Sequence, residues 1–205
     1  MTTNDTTHGD TSLAPSRRWT TVDIVVAAVL AVASGVVFMG WNGVWSVLNP
    51  VLGAGGPGIA IISGLWFFPA VLVALIVRKP GAALFAEMVA AAVEAMLGSH
   101  WGMTVLVSGL VQGLGAEFVF AAFRYRRYTL TVAVLAGAAA GVGATVNEIV
   151  QRHLAQPLWW VSTYAALTVL GGAVIAGLGS WLLAKALGKT GVLDALAGGR
   201  RRERV

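Results

Sequence analysis

The amino-acid sequence predicts an all-α, polytopic membrane protein, a six-transmembrane-helix bundle with both termini in the cytoplasm. Three observations predict it. Of 205 residues, 57% are hydrophobic and 11% charged, against roughly 25% charged in an ordinary soluble domain. The apolar residues gather in runs able to cross ~30 Å of hydrocarbon at ~1.5 Å per residue. Between those runs Lys and Arg fall in short clusters, the pattern that sets membrane orientation. The net charge of +5 and pI near 10.2 are therefore no sign of nucleic-acid binding, which needs basic residues gathered on one soluble surface. Cysteine is absent, which excludes disulfides and thiolate metal sites.

The stretch Met1–Pro15 is polar and lacks the basic start and cleavage site of a secretory signal. Residues 1–18 read as a disordered cytoplasmic tail. After Arg17 and Arg18 the first helix is expected from about Trp19 to Met39. Gly40 to Gly58 combines Asn, Pro and Gly with Trp41 and Trp45, so it reads as a re-entrant or interfacial outer loop. Helix two runs from about Ile59 to Val77 and ends at Arg78-Lys79-Pro80. The third covers Gly81 to Leu97, followed by the outer turn Gly98-Ser99-His100-Trp101-Gly102. The fourth, Met103 to Phe123, ends at Arg124-Tyr125-Arg126-Arg127. Thr129 to about Val150 forms the fifth, Gln151 to Trp160 an outer loop with Pro157, and Val161 to Leu187 the sixth. Residues 19–187 are thus the membrane domain and 188–205 a basic cytoplasmic tail. On this arrangement 13 of the 14 Lys and Arg residues lie inside and only Arg152 outside, so helix count and orientation support each other.

Ionisable side chains inside the spans are all acidic: Glu87, Glu94, Glu117 and Glu148. A carboxylate at a helix centre costs about 2.5 to 3.5 kcal/mol on insertion scales, so each needs a partner, a wet cavity or a proton. An acidic interior favours a cation, or a heterocycle that donates hydrogen bonds to carboxylates. Glu87 and Glu94, two turns apart, share one helix face. Asn147 and Glu148 sit near the outer end of helix five, although Glu148 has Arg152 at i+4 for a simple ion pair and the Asn147 amide could bridge helices. Gln112 lies mid-span. For Glu117, two turns from Arg124, a structural pairing fits better. Trp41, Trp45, Trp101, Trp159, Trp160 and Tyr164 all map to the outer end, where an aromatic belt is ordinary. Beside carboxylates they could equally hold a cation or planar ring. His100 and His153 are isolated, with no metal-ligand spacing, so neither a metal nor a cofactor is expected.

Gly188-Lys189-Thr190 resembles the end of a phosphate loop, but Leu183 occupies the first glycine position, so this chain is not expected to hydrolyse ATP. The pairs Gly109/Gly113 and Gly137/Gly141 have GxxxG spacing, explained by helix packing. Ala27, Ala31 and Gly35 form a small-residue stripe on helix one that could pack internally or against another protein. With no Ser-His, paired-Asp or HExxH arrangement in the spans, the chain does not read as an enzyme.

The segments Gly64-Leu65-Trp66-Phe67-Phe68-Pro69, Arg78-Lys79-Pro80-Gly81-Ala82, Glu87 to Glu94, Gly98-Ser99-His100-Trp101-Gly102 and Gly109 to Glu117 resemble the YkoE family. These are substrate-binding S components of energy-coupling factor (ECF) transporters, linked to thiamine and its hydroxymethylpyrimidine precursor. The resemblance extends over nearly all six spans. It implies the six-helix S-component bundle, a vitamin site near the outer surface, and a place in the plasma membrane. It also implies that the Ala27, Ala31, Gly35 stripe contacts a transmembrane coupling subunit, with two cytosolic ATPases supplying energy. Metal-specific relatives begin Met-His where this chain has Met1-Thr2, which argues against cobalt or nickel. The expected substrate-binding set is Glu94, Glu87, Asn147, Glu148, Gln112, Trp41, Trp101, Trp159 and Tyr164. A stand-alone, proton-coupled transporter of organic cations using Glu87 is the alternative.

The topology is directly testable: a reporter fused after Val205 is expected in the cytoplasm and one inserted near Gly55 outside. Recovery of the C-terminal reporter on the outer face would end the six-span arrangement.

Overall fold

The computed structural model describes residues 17–54 and 56–191. Most of the two expected tails, and Gly55, lie outside the described residues. Six helices make up the bundle: α1 (Thr21–Leu52), α2 (Gly58–Val77), α3 (Ala82–Met96), α4 (Thr104–Ala122), α5 (Leu130–His153) and α6 (Leu158–Lys189). All but α3 are long and apolar enough to cross a membrane. At 15 residues, α3 spans only about 22 Å. Outward positions such as Val29, Leu114, Phe118 and Leu135 remain exposed, as suits a surface solvated by lipid tails.

α1 corrects the sequence reading. It starts at a capping box, in which Asp23 N–H donates to Thr20 Oγ1 while the Thr20 N–H donates to the Asp23 carboxylate. It then continues through the segment expected to be a loop, ending at Leu52 with Pro50 in its last turn. The turn-forming residues are outweighed by tertiary burial: Trp41 and Trp45 pack edge-on against Trp66, at 6.4 and 4.9 Å between ring centroids, and Asn42 is buried. Only 53–57 remains of that loop. The second outer loop also shrinks, because α5 continues to His153 through a π-helical turn and α6 begins already at Leu158.

α2 is the central helix. Every residue from Pro69 to Val77 is buried, which accounts for a sequence apolar on all sides. Its first half, Gly58–Phe67, is a 3-10 helix pressed onto α6: a Cβ on Gly64 would overlap the carbonyl of Gly171, and one on Gly171 the carbonyl of Ile61. α5 meets α6 in the same way, Gly137 against Gly172 and Gly177, where α6 widens into a π-helical segment, Gly172–Gly179. Gly109 packs on Ala91, Gly113 on Glu87, and Gly141 on Thr168 and Val169, so helix packing does account for the GxxxG pairs.

The end carrying most of the arginines is latched by polar contacts. Lys79 pairs with Asp23 at 3.4 Å, both side chains buried, and donates to the Arg18 carbonyl at 2.6 Å. The Trp19 indole donates to the Pro80 carbonyl at 2.9 Å, and Arg17 to that of Arg124 at 3.2 Å. Arg78 ends α2 in the left-handed region at φ 57°, held by its side-chain bond to the Leu75 carbonyl and its place over the Tyr128 ring.

The small-residue stripe faces inward. Ala27 and Ala31 are fully buried, and a Cβ on Gly35 would lie 2.6 Å from Val93 Cβ and 2.7 Å from the Ala90 carbonyl. In this structure Gly35 serves the α1–α3 contact, and Ala27 and Ala31 are enclosed within the chain itself, so the internal packing left open by the sequence is present. Ala31→Trp should therefore lower the unfolding temperature of the isolated protein by several degrees through overpacking, about 1–3 kcal/mol. An unchanged unfolding temperature in detergent would return the stripe to a partner-facing role.

Candidate functional site

At the end of the bundle away from the arginine latch, all six helices line one cavity of about 650 Å³, its open mouth included. Its walls are helical stripes. α3 contributes Glu87, Ala91 and Glu94, α4 Val105, Ser108, Gly109 and Gln112, α5 Ala144, Glu148 and Arg152, and α6 Tyr164 and Thr168. The spacings of three, four and seven place each set on one helix face. Phe38 and Trp45 of α1, Ser63, Trp66 and Phe67 of α2, and Trp101 and Thr104 at the start of α4 complete the lining.

Glu94 is the most firmly held of the carboxylates at the mouth. One oxygen accepts from Asn42 Nδ2 at 2.8 Å and Ser99 Oγ at 3.0 Å. Asn42 in turn accepts through Oδ1 from the Trp101 indole N–H at 3.2 Å. One asparagine of α1 thus fixes both the acid and the ring beside it. This arrangement depends on α1 remaining helical past Met39, and reading that stretch as a loop hid Asn42 from sequence analysis.

Glu148 pairs with Arg152 at 3.3 Å, the i+4 geometry visible in the sequence, and it also lines the cavity. Arg152 reaches across the mouth, its guanidinium 4.5 Å from the centre of the Trp101 ring and 3.4 Å from Thr104 Oγ1. His153 packs on Trp160 and Tyr164, which stack with centroids 5.3 Å apart and planes 10° from parallel.

Glu87 is fully enclosed, and one of its oxygens accepts from the Ala70 N–H at 3.1 Å. Ala70 stands where the 3-10 half of α2 becomes α-helix, beside Pro69, which has no N–H, so the carboxylate binds the backbone at that junction. Glu117 does the same for α3, accepting from Gly81 at 2.6 Å, Ala83 at 3.0 Å and Leu84 at 3.3 Å. Its role is structural, but through backbone donors rather than the expected Arg124.

Of the nine expected substrate residues, Glu87, Glu94, Gln112, Trp101, Glu148 and Tyr164 line the cavity and three do not. Asn147 bridges α4 and α5, donating to Ser108 Oγ at 2.8 Å and accepting from Gln151 at 2.6 Å. Trp41 packs against Trp66 outside the lining. Trp159 is 58% exposed, beside Gly56. The sequence reading missed Trp66, Phe38, Phe67 and Ser63. Trp66 carried a signal, an aromatic inside an apolar span beside Gly64, while Phe38 and Phe67 look like ordinary apolar filling and Ser63 like a small packing residue.

Residues 22–143 match a family described as ABC-type cobalt transport system, permease component. A Bacillus subtilis (strain 168) protein named "Putative HMP/thiamine permease protein YkoE" is 36% identical over 187 residues, 90% of this chain and 92% of that one. A crystal structure of an S-component of an ECF transporter superimposes with a TM-score of 0.83 at 34% identity, covering 91% of this chain and 94% of that one. The fold is therefore that of an S component, a multi-pass protein of the plasma membrane. More narrowly, the chain belongs to the YkoE family.

Proposed function

We propose that the chain is the substrate-capture subunit of an ECF-type importer and binds thiamine, or its hydroxymethylpyrimidine moiety, from the outer side. The observation that carries this reading is the Asn42–Glu94–Trp101 unit at the cavity mouth. It places a carboxylate, oriented by neutral donors, next to an aromatic face. An aminopyrimidine donates hydrogen bonds to such an acid and stacks on such a ring, and a thiazolium adds a charge that both attract. The acidic lining, Glu87, Glu94 and Glu148 against the single cation Arg152 among the described residues, supports a ligand of that sign.

The matched family's description speaks of cobalt, yet the lining contains no histidine. Among the described residues no three His, Cys, Asp or Glu side chains converge as a metal site would require. The donor set suits an organic ring better than a transition-metal ion. In this reading the arginine-rich end faces the cytoplasm, and a transmembrane coupling subunit with two cytosolic ATPases drives release.

Glu94→Gln should keep the fold and the amide-compatible hydrogen bonds while removing the charge. A hydrogen bond to a charged group contributes about 1.5 to 3 kcal/mol, so affinity should fall by roughly ten- to a hundredfold. Glu117→Gln should change affinity little and instead lower stability, since it weakens the cap on α3. Isothermal titration with thiamine and with hydroxymethylpyrimidine checks both. Wild-type affinity in Glu94→Gln, or a larger loss at Glu117, would remove the site from this cavity.

A further inference from the structure

The mouth of the cavity already holds a planar cation. Arg152 lies face-on to Trp101 and is paired with Glu148, while Thr104 accepts a third contact at 3.4 Å. Stacking on an indole and pairing with a carboxylate are the two interactions a cationic heterocycle would seek there. We propose that Arg152 is an internal stand-in for the cationic part of the ligand: it occupies the Trp101–Glu148 subsite when the cavity is empty and yields it when the ligand enters. The inference rests on the ligand reading above and extends it to a residue that sets specificity.

The parts differ in how they are held, as such an exchange requires. Trp101 is held through its indole N–H by Asn42, and Glu148 stands on α5. Arg152 sits in the π-helical last turn of that helix, on a long stem, with its side chain 32% exposed. Without Arg152, Glu148 would face an empty, aromatic-walled cavity with no counter-charge, an unfavourable state for a carboxylate. With Arg152 in place, an entering ligand must match both of its contacts. A small inorganic cation can pair with Glu148 but cannot cover the indole, so it displaces Arg152 poorly. A flat cation does both.

The competing explanation is that Arg152 merely clips α5 to α4 through Thr104. Arg152→Gln separates the two, because glutamine can still reach a hydroxyl but carries no charge and offers less of a stacking face. The ligand-free variant should stay folded but unfold a few degrees below wild type, because Glu148 loses its counter-charge. It should bind thiamine about fivefold more tightly, the combined size of one exposed cation–π contact and one surface ion pair. Hydroxymethylpyrimidine, uncharged at mildly alkaline pH, should gain much less. Arg152→Lys, which keeps the charge, should fall between wild type and Arg152→Gln for thiamine.

A second readout does not depend on either vitamin. The planar cation 1-methylnicotinamide quenches indoles by stacking, and the Trp101 share of that quenching is isolated by comparison with Trp101→Phe. This share should rise several-fold in Arg152→Gln, while quenching by neutral acrylamide stays constant. If wild type bound neither vitamin but the quenching rose, the ligand reading would fall and the stand-in would hold. Weaker thiamine binding in Arg152→Gln, equal changes for both vitamins, or unchanged cation quenching of Trp101 would each overturn the stand-in.

Discussion

Four glutamates lie among apolar helices, Glu87 and Glu94 buried and Glu117 and Glu148 partly so, and satisfying them is the constraint on which this bundle depends. A hydrocarbon environment offers no water, so each acid must find donors inside the protein. Two of them find backbone donors. Glu117 takes three N–H groups at the beginning of α3, and Glu87 takes the Ala70 N–H where α2 changes from 3-10 to α-helix. At the start of α3 such donors have no partner within their own helix, so acid and helix end each supply what the other lacks. The same contacts tie α4 to α3 and α3 to α2, fixing three helices relative to one another. The two carboxylates nearest the mouth, Glu94 and Glu148, are held by side chains instead. Side chains can rearrange where helix ends cannot, which separates the framework acids from those available to a ligand.

Donors of this kind are useful only if the helices come very close, and glycine provides that. Gly64 meets Gly171, and Gly137 meets Gly172, backbone to backbone. In lipid, where apolar side chains gain little by leaving their surroundings, such contacts supply much of the helix association. They also open space elsewhere. With α6 drawn tightly onto α2 and α5 over its middle, its first turns carry Tyr164 and Thr168 along one wall of a cavity that large residues of α1 and α2 close from the other side. Tight packing in the middle and a hollow at one end are consequences of the same placement of small and large residues.

Most of the fold was legible because lipid imposes a strong and simple code. Apolar run length and the positions of Arg and Lys mark six helices, and the described residues form six, with α1 running on past its expected end to Leu52. The failures share one physical cause. Gly40, Asn42, Gly43, Asn49 and Pro50 have poor local helix propensity, but Trp41, Trp45 and Asn42 find tertiary partners only if α1 continues. Local preference lost to burial. The site was legible through its charges, since an acid in a span has few innocent explanations, and three of the four acids do line the cavity. Its aromatics were harder, because ring orientation depends on partners distant in sequence: Trp101 is turned by Asn42, 59 positions away, while Trp159 simply lies exposed. The Ala27, Ala31, Gly35 stripe illustrates the same limit. A row of small residues announces close approach without saying to what, and here the neighbour of Gly35 is α3.

The two ends of the bundle are built from different interactions, and the difference bears on how a ligand could enter without disturbing the framework. At the arginine-rich end the Asp23–Lys79 pair is buried, and its lysine also binds a backbone carbonyl. Breaking that contact would strand a charge in a poorly solvated place, a loss of about 3–5 kcal/mol for buried pairs. At the cavity mouth the corresponding contacts are a partly exposed ion pair and a guanidinium over an indole, each worth about 1 kcal/mol or less. An entering planar cation can replace both in kind, so the net cost of opening the mouth is smaller still. On the proposed reading, opening involves the loop between α3 and α4 and the last turn of α5, where the exchangeable contacts lie, and needs no change in the carboxylate contacts at the start of α3 or in the glycine contacts.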